Sequence, residues 1–293
     1  MKFINPVEEL HSLARNNRET YLSARPFPNI YFDTFFDEEA LSEVLDEFPD
    51  LSKEPDLSFD DPNQVKLASV GEYRFGEKTK DFMHFLNSQP FLEFLSLLTG
   101  IGGLIPDPYF DGGGAHQIMP GGLLKIHADF NKSTYINLDR RLNVLVYLNK
   151  DWNEEWGGHL ELWDREMKGV EKKILPIFNR LAVFTTTDFS YHGHPDPLKC
   201  PSDRSRKSVA LYYYTNGRPP EEVSALGVHT TLFQIRPDSH EDHAALLKAA
   251  SDSRAKRTSM AKEVIRQITP PLLYNVAKKL MRSVWRGESV RQR

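Results

Sequence analysis

A series of short β-type segments separated by turn residues is the feature that most limits how this chain can fold. From residue 101 onwards, apolar and aromatic runs alternate with glycine, proline, asparagine and aspartate. The pattern predicts strands at 115–119, 122–127, 142–149, 158–163, 173–178, 181–186, 189–193, 207–215 and 228–235. Many short strands at this spacing predict an all-β sandwich or barrel and argue against a doubly wound parallel sheet.

The segments on either side of this β region have helical periodicity. Helices are predicted at 6–22, 37–48 and 79–98, together with a first strand in PFPNIYFDTFF and a polar loop over 49–67. A further helical region begins near residue 239 and is interrupted by Pro270 and Pro271. We therefore predict a mainly β fold with flanking helices. The predicted division is 1–100 for N-terminal helices and first strands, 101–236 for the catalytic core, and 237–293 for a basic helical extension.

The composition is that of an ordinary globular chain. Of its 293 residues, 40% are hydrophobic and 27% are charged, enough for one sizeable core. The lone cysteine, Cys200, excludes a disulfide framework within the chain. The N-terminus has no signal-peptide apolar core, and no run of eighteen apolar residues occurs. These features predict a cytoplasmic protein without a transmembrane segment.

Charge is unevenly distributed along the chain. Residues 254–293 carry eleven Lys or Arg and two Glu, which leaves the remainder of the chain strongly acidic within a total of −4. A basic amphipathic tail either packs back on the acidic body or meets an acidic partner or membrane surface. Nucleic acid is not an expected partner, because the candidate site lies in the acidic part.

That candidate site begins with a His-x-Asp pair at the end of a predicted strand. His127 and Asp129 are two residues apart, so an extended backbone directs both side chains to one face. The segment FSYHGHPDPL supplies His192 and His194 further along the chain. Either histidine could be the third ligand on spacing alone, and His192 is favoured. Arg206 follows His192 at the start of another predicted strand.

These residue types suit one kind of metal chemistry. Two imidazoles and a carboxylate bind Fe(II) and leave coordination positions open for a 2-oxo acid and O₂. The far carboxylate of a dicarboxylic co-substrate needs a buried cation, and Arg206 provides a planar fork for it. Ser208 lies two residues further on the same strand face and can add a hydrogen bond.

The motifs HADF, WGGHLELW, FSYHGHPDPL and RKSVALYYY together resemble the double-stranded β-helix (jelly-roll) core of the 2-oxoglutarate/Fe(II)-dependent oxygenases. The resemblance covers about residues 28–216 and is strongest to the prolyl 4-hydroxylase-like branch. It implies that His127, Asp129 and His192 are the catalytic metal ligands. It also implies that Arg206, assisted by Ser208, holds 2-oxoglutarate.

Two positions depart from that branch. Prolyl 4-hydroxylases commonly have Lys where this chain has Arg206, and a Tyr where it has Met119. Gln117, two residues before Met119, is predicted to contact co-substrate or substrate instead.

The resemblance implies a dioxygenase that hydroxylates an unactivated C–H bond, with Fe(II), 2-oxoglutarate and O₂, and with ascorbate as a possible reductant. A small-molecule or peptidyl substrate fits equally, a prolyl or other amino-acid-type group included. Two alternatives stay open at this stage. One is a cupin-like metalloenzyme that does not use 2-oxoglutarate, and the other is a non-catalytic binding protein on the same barrel.

Overall fold

The computed structural model describes residues 3–4, 7–237 and 239 of the chain. The described helices are α1 (Val7–Leu22), α2 (Glu38–Asp46), α3 (Glu77–Leu86) and α4 (Gln89–Thr99). The first two agree with the predicted helices. The single helix predicted over 79–98 is wrong, because α3 and α4 are separate. Pro90 lies in the first turn of α4, and its ring and missing N–H cannot be accommodated in the interior of a continuous helix.

The strands of the described chain are mostly short, as the turn spacing predicts. They are β1 (Asn29–Phe32), β2 (Leu57–Asp61), β3 (Gln64–Ala68), β4 (Ile105–Pro106), β5 (Gly114–Ile118), β6 (Leu123–Ala128), β7 (Asp139–Tyr147), β8 (Leu160–Trp163), β9 (Val170–Ile174), β10 (Arg180–Thr185), β11 (His192–His194), β12 (Arg206–Thr215) and β13 (Leu232–Phe233). Each strand predicted from residue 101 onwards has a counterpart among them.

The strands form two antiparallel layers joined into one curved sheet. One layer has the order β1-β10-β7-β12-β5, and the other has the order β6-β11-β8-β9. Strand β3 joins the layers, since it pairs with β5 through Leu67 and Ala68 and with β6 through Gln64 and Val65. This nearly closed barrel with flanking helices is the predicted double-stranded β-helix.

The β2–β3 hairpin corrects one prediction, because residues 49–67 were expected to form a loop. Leu57–Asp61 pairs with Gln64–Ala68 through a turn at residues 62–63. Polar residues such as Gln64 and Lys66 hid the strand pattern, because one face of β3 turns towards a polar barrel interior. The hairpin therefore contributes to the site, as described below.

The helices cover the outer face of the first layer. Phe82, Phe91 and Phe94 of α3 and α4 share one apolar cluster with the outward-facing Val209 and Leu211 of β12. Alternate residues of β12 face the other way, into the barrel. The barrel interior is thereby left to a different set of side chains, which include those of the predicted site.

Strand β13 lies after the barrel and extends the second layer. It pairs with the end of β6, with Leu232 opposite Ala128 and Phe233 opposite His127. Gln234 continues the contact by donating its backbone N–H to Ile126 O at 2.7 Å. The chain segment that follows the last long strand therefore returns to the predicted metal ligands.

The predicted basic extension over 237–293 lies outside the described residues apart from 237 and 239, and the predicted division of the chain stays a prediction. Within the described part, no helix combines the length and apolarity that a membrane crossing requires.

Asn179 offers a test of how the N-terminal segment is attached to the barrel. Its buried side chain accepts a hydrogen bond from Phe36 N at 2.9 Å and donates one to Phe36 O at 2.8 Å. We expect Asn179→Ala to lower the free energy of unfolding by about 2–4 kcal/mol, because two buried backbone groups lose their partners. Urea denaturation measures the change.

The matched control is Asn137→Ala. Asn137 also has a left-handed backbone, with φ of 56° against 60° for Asn179, but its side chain is exposed. Its substitution removes only the left-handed preference of asparagine, at a cost of about 1 kcal/mol. Equal destabilisation by the two variants would contradict a role for the Phe36 contacts.

Candidate active site

The three side chains predicted to bind metal lie together inside the barrel. His127 is on β6 and Asp129 follows its last residue, while His192 begins β11 directly opposite His127. One ligand atom from each of the three lies within 4.8 Å of the other two. No other group of three or more His, Cys, Asp or Glu side chains within the described residues has this geometry. The structure therefore brings together three residues that are far apart in sequence.

Both histidines are held in the tautomer that a metal ligand needs. His127 Nδ1 lies 2.8 Å from Lys125 O, and His192 Nδ1 lies 2.8 Å from Ser190 O. A carbonyl oxygen only accepts, so each Nδ1 carries the proton and each Nε2 presents its lone pair. Burial and the neighbouring His127 lower the pKa of His192 to about 4, against the opposing effect of Asp129. The His192 imidazole is therefore neutral at physiological pH.

The carboxylate of Asp129 faces both Nε2 atoms, at 3.7 Å from His127 and 3.4 Å from His192. Its Oδ2 accepts hydrogen bonds from Arg140 Nη2 at 2.9 Å and from Asn143 Nδ2 at 2.7 Å. Burial alone would raise the pKa of this carboxyl, but the positive charge of Arg140 and the two neighbouring imidazoles hold it well below its usual range. Asp129 is therefore an oriented anion, and this donor set suits Fe(II).

Arg140 was not anticipated from the sequence. Its guanidinium is fully buried, with Cζ 3.4 Å from the centre of the Tyr212 ring and 4.4 Å from that of Phe130. Arg140 Nε and Nη2 also donate to Asn143 Oδ1. The presence of an arginine in a strand as apolar as β7 could have indicated a role in the site, because a buried guanidinium requires an acidic or aromatic partner.

Arg206 is buried at the start of β12, as predicted, and has no acidic partner among the described residues. Its Nε donates to Gly158 O at 2.8 Å, and its Nη2 lies 3.4 Å from Tyr147 Oη. Burial lowers the pKa of the guanidinium, yet an arginine keeps its charge in such surroundings. A buried cation without a carboxylate fits an anionic ligand.

One apolar cluster lies against both Arg206 and the metal ligands. Phe184 lies 4.7 Å from the His192 ring, centre to centre, and packs in one apolar cluster with Tyr147. Tyr147 in turn lies beneath the Arg206 guanidinium, with 5.0 Å between Cζ and the ring centre. Ser208 is buried and pairs with Tyr147 across β7 and β12. Metal ligands and predicted co-substrate residues thus share one interior.

The prediction for Gln117 is wrong. Gln117 pairs with Lys207, so its side chain lies on the outer face of the sheet while its neighbours His116 and Ile118 face inwards. Its Oε1 accepts from Leu51 N at 2.7 Å, and its Nε2 donates to Ser205 Oγ at 3.0 Å. Both ends of the amide serve to anchor surrounding loops, so neither is available to a ligand in the barrel.

Lys66 is a second residue of the interior that sequence reasoning missed. It is half-buried on β3, with Nζ 5.0 Å from the centre of the Phe59 ring. Burial lowers its pKa to about 8, while the attraction of Asp129 opposes that shift. No described carboxylate forms an ion pair with Lys66. Together with Arg140 and Arg206 it adds positive charge to the interior near the Asp129 carboxylate.

Comparison with known proteins identifies the barrel. Residues 113–214 match the family model of the 2OG-Fe(II) oxygenase superfamily. The match covers about a third of the chain, and that part is similar to the superfamily. The match spans the predicted metal ligands and Arg206, and it confirms the resemblance seen in the motifs.

One curated relative and two solved structures define the similarity further. Over 87 residues the chain is 30% identical to mouse prolyl 3-hydroxylase OGFOD1. This alignment covers 28% of this chain but only 16% of the mouse protein. The first structure is a Trichoplax adhaerens prolyl hydroxylase, solved in complex with a peptide fragment of the hypoxia inducible factor oxygen degradation domain. It has a TM-score of 0.51 at 20% sequence identity, and the alignment covers 71% of this chain and 91% of that one.

A Pseudomonas putida prolyl-4-hydroxylase also has a TM-score of 0.51, at 16% identity, and covers 71% of this chain and all of its own. At these identities the solved structures establish the fold. The described part of the chain therefore has the same fold as these two prolyl hydroxylases.

Asn143 provides a test of the site that leaves the ligands in place. We expect Asn143→Ala to weaken binding of Fe(II) by about tenfold or more, because residues that orient metal ligands commonly contribute that much. Isothermal titration under anaerobic conditions measures the affinity.

Asn131→Ala is the control for that substitution. Asn131 lies two residues beyond Asp129, but its amide contacts Gly227 O and His229 N and not the carboxylate. Its loss should leave the metal affinity unchanged. Equal Fe(II) affinities in the Asn143 variant and the unmodified protein would show that Asn143 does not hold the carboxylate.

Proposed function

We propose that this protein is an Fe(II)- and 2-oxoglutarate-dependent dioxygenase that hydroxylates an unactivated C–H bond. The observation that carries the proposal is the shared interior of two features. A three-ligand cluster lies at one position, and Arg206, a buried cation without a described acidic partner, lies against the same apolar cluster as His192. A dicarboxylic 2-oxo acid is the class of ligand that binds both.

Each residue has a defined part in this proposal. The Nε2 atoms of His127 and His192 and the oriented carboxylate of Asp129 would hold Fe(II). Arg206, with Ser208 beside it, would bind the distal carboxylate of 2-oxoglutarate. When bound, the metal and 2-oxoglutarate supply the oxidising power with O₂, and 2-oxoglutarate ends as succinate and CO₂. Ascorbate would serve as an accessory reductant.

The walls of the interior favour chemistry that must exclude water. The Phe233 ring lies 5.6 Å from that of His127, and Phe184 lies 4.7 Å from that of His192. On the Asp129 side, Phe130 and Tyr212 enclose the Arg140 guanidinium. These rings would shield the reacting group from solvent and strengthen the electrostatic interactions inside the barrel.

For the substrate, we propose a prolyl or other amino-acid-type group. The support is the local identity with a mouse prolyl 3-hydroxylase and the fold shared with prolyl hydroxylases, one of which was solved with a peptide. Incubation with proline-containing peptides, Fe(II), 2-oxoglutarate and O₂ tests this. A mass gain of one oxygen atom on the peptide, with formation of an equal amount of succinate, would support this substrate class. Hydroxylation of a different class of compound, with none of the peptides, would contradict it.

An anaerobic titration with Fe(II) and then 2-oxoglutarate tests the reaction class. We expect a weak visible charge-transfer band that saturates with 2-oxoglutarate and is absent in His192→Ala. Arg206→Met should weaken 2-oxoglutarate binding by about 100-fold or more, because a carboxylate is left inside the barrel without its cation.

Lys207→Met is the matched control, since Lys207 is the next residue along β12 and faces outwards, with Nζ near the Phe48 ring. Its affinity for 2-oxoglutarate should equal that of the unmodified protein. Iron binding without the band would favour the cupin-like alternative. Absence of iron binding would favour a non-catalytic scaffold.

The predicted cytoplasmic location, and the predicted meeting of residues 254–293 with an acidic partner or membrane surface, remain proposals. Removal of that segment, followed by a comparison of hydroxylation and vesicle binding, tests the second of them.

A further inference from the structure

The imidazole of His194 is buried, and no described residue forms a hydrogen bond with it. The residue is 4% exposed, and neither Nδ1 nor Nε2 has a partner among the described residues. Buried polar groups of proteins are nearly always paired, and an unpaired one is costly. A histidine with only a packing role would have a backbone or side-chain partner, so an absent ligand is the simplest account of this one.

The position of His194 in the barrel indicates which ligand would form a hydrogen bond with its imidazole. His194 lies two residues beyond His192 on β11 and pairs with Leu124, whereas His192 pairs with His127 at the metal site. That step corresponds to about 7 Å along a strand, a distance comparable to the length of a five-carbon dicarboxylic acid. His194 therefore lies further into the barrel than the metal ligands, towards the start of β12.

Arg206 lies at the same end of the barrel. His194 and Gly158 border one cavity of about 160 Å³, and the carbonyl of Gly158 accepts the hydrogen bond from Arg206 Nε. An imidazole has at least one N–H donor whether it is neutral or protonated, so His194 can donate a hydrogen bond at this end of the barrel.

The donors of Arg206 are only partly used by the protein. Its Nε is bound to Gly158 O, and its Nη2 has a long contact with Tyr147 Oη. No described residue accepts a hydrogen bond from Nη1. A carboxylate bound there has more acceptor sites than one guanidinium edge satisfies, so a second donor from the facing strand would complete its coordination.

We propose that His194 donates a hydrogen bond to the distal carboxylate of 2-oxoglutarate beside Arg206, and that it thereby helps the site to select a dicarboxylic 2-oxo acid. This inference rests on the proposed function. It assigns to His194 a binding role distinct from metal coordination, for which His192 is the histidine in position.

The test compares two acids that differ only in the group concerned. Full-length protein loaded with Mn(II) is titrated calorimetrically with 2-oxoglutarate and with 2-oxopentanoate, which has the same carbon chain without the distal carboxylate. We expect His194→Phe to weaken 2-oxoglutarate binding by about tenfold, the usual effect of losing a hydrogen bond to a charged group. Its affinity for 2-oxopentanoate and for Mn(II) should be unchanged.

His194→Gln retains an N–H donor and should bind 2-oxoglutarate more tightly than His194→Phe. Should His194→Phe fail to fold, His194→Leu replaces it, with the same selective loss expected. An equal loss for both acids, or no loss for 2-oxoglutarate, would overturn the assignment of His194 alone. If the unmodified Mn(II)-loaded protein does not bind 2-oxoglutarate, the proposed function fails and this inference fails with it.

Discussion

The buried interaction of Arg140 with Asp129 is the constraint on which the rest of the site depends. A carboxylate whose side chain is only 11% exposed needs a compensating charge, and a fully buried guanidinium beside it needs one as well. Asn143 completes the arrangement by bonding to both groups. Because Arg140 and Asn143 come from β7 while Asp129 follows β6, the two layers of the barrel must face each other correctly before the carboxylate is stable.

The two histidines depend on the same layers in a different way. His127 and His192 are cross-strand neighbours on β6 and β11, and each is oriented by a backbone carbonyl two residues before it. Their geometry therefore follows from strand register, and no separate side chain has to hold them. A one-residue slip between β6 and β11 would turn one imidazole out of the barrel.

Much of this site could be predicted because its residues obey simple periodicities. His127 with Asp129 and Arg206 with Ser208 are each two apart in strands, so their common faces follow from the sequence. What could not be predicted depends on pairing between distant segments. The face of Gln117 follows from its register with β12, and β3 is recognisable as a strand only once β5 and β6 are known to lie on either side of it. Lys66 and Arg140 were missed for the same reason, since each is explained by a partner on another strand.

The return of the chain along β6 has a consequence for how a peptide could be recognised. An exposed strand edge offers free N–H and C=O groups to which an extended peptide can add as a further strand. Next to His127 that edge is occupied by Leu232, Phe233 and Gln234 of the same chain. A peptidyl substrate therefore cannot add as a strand to this edge of β6 unless it first displaces β13.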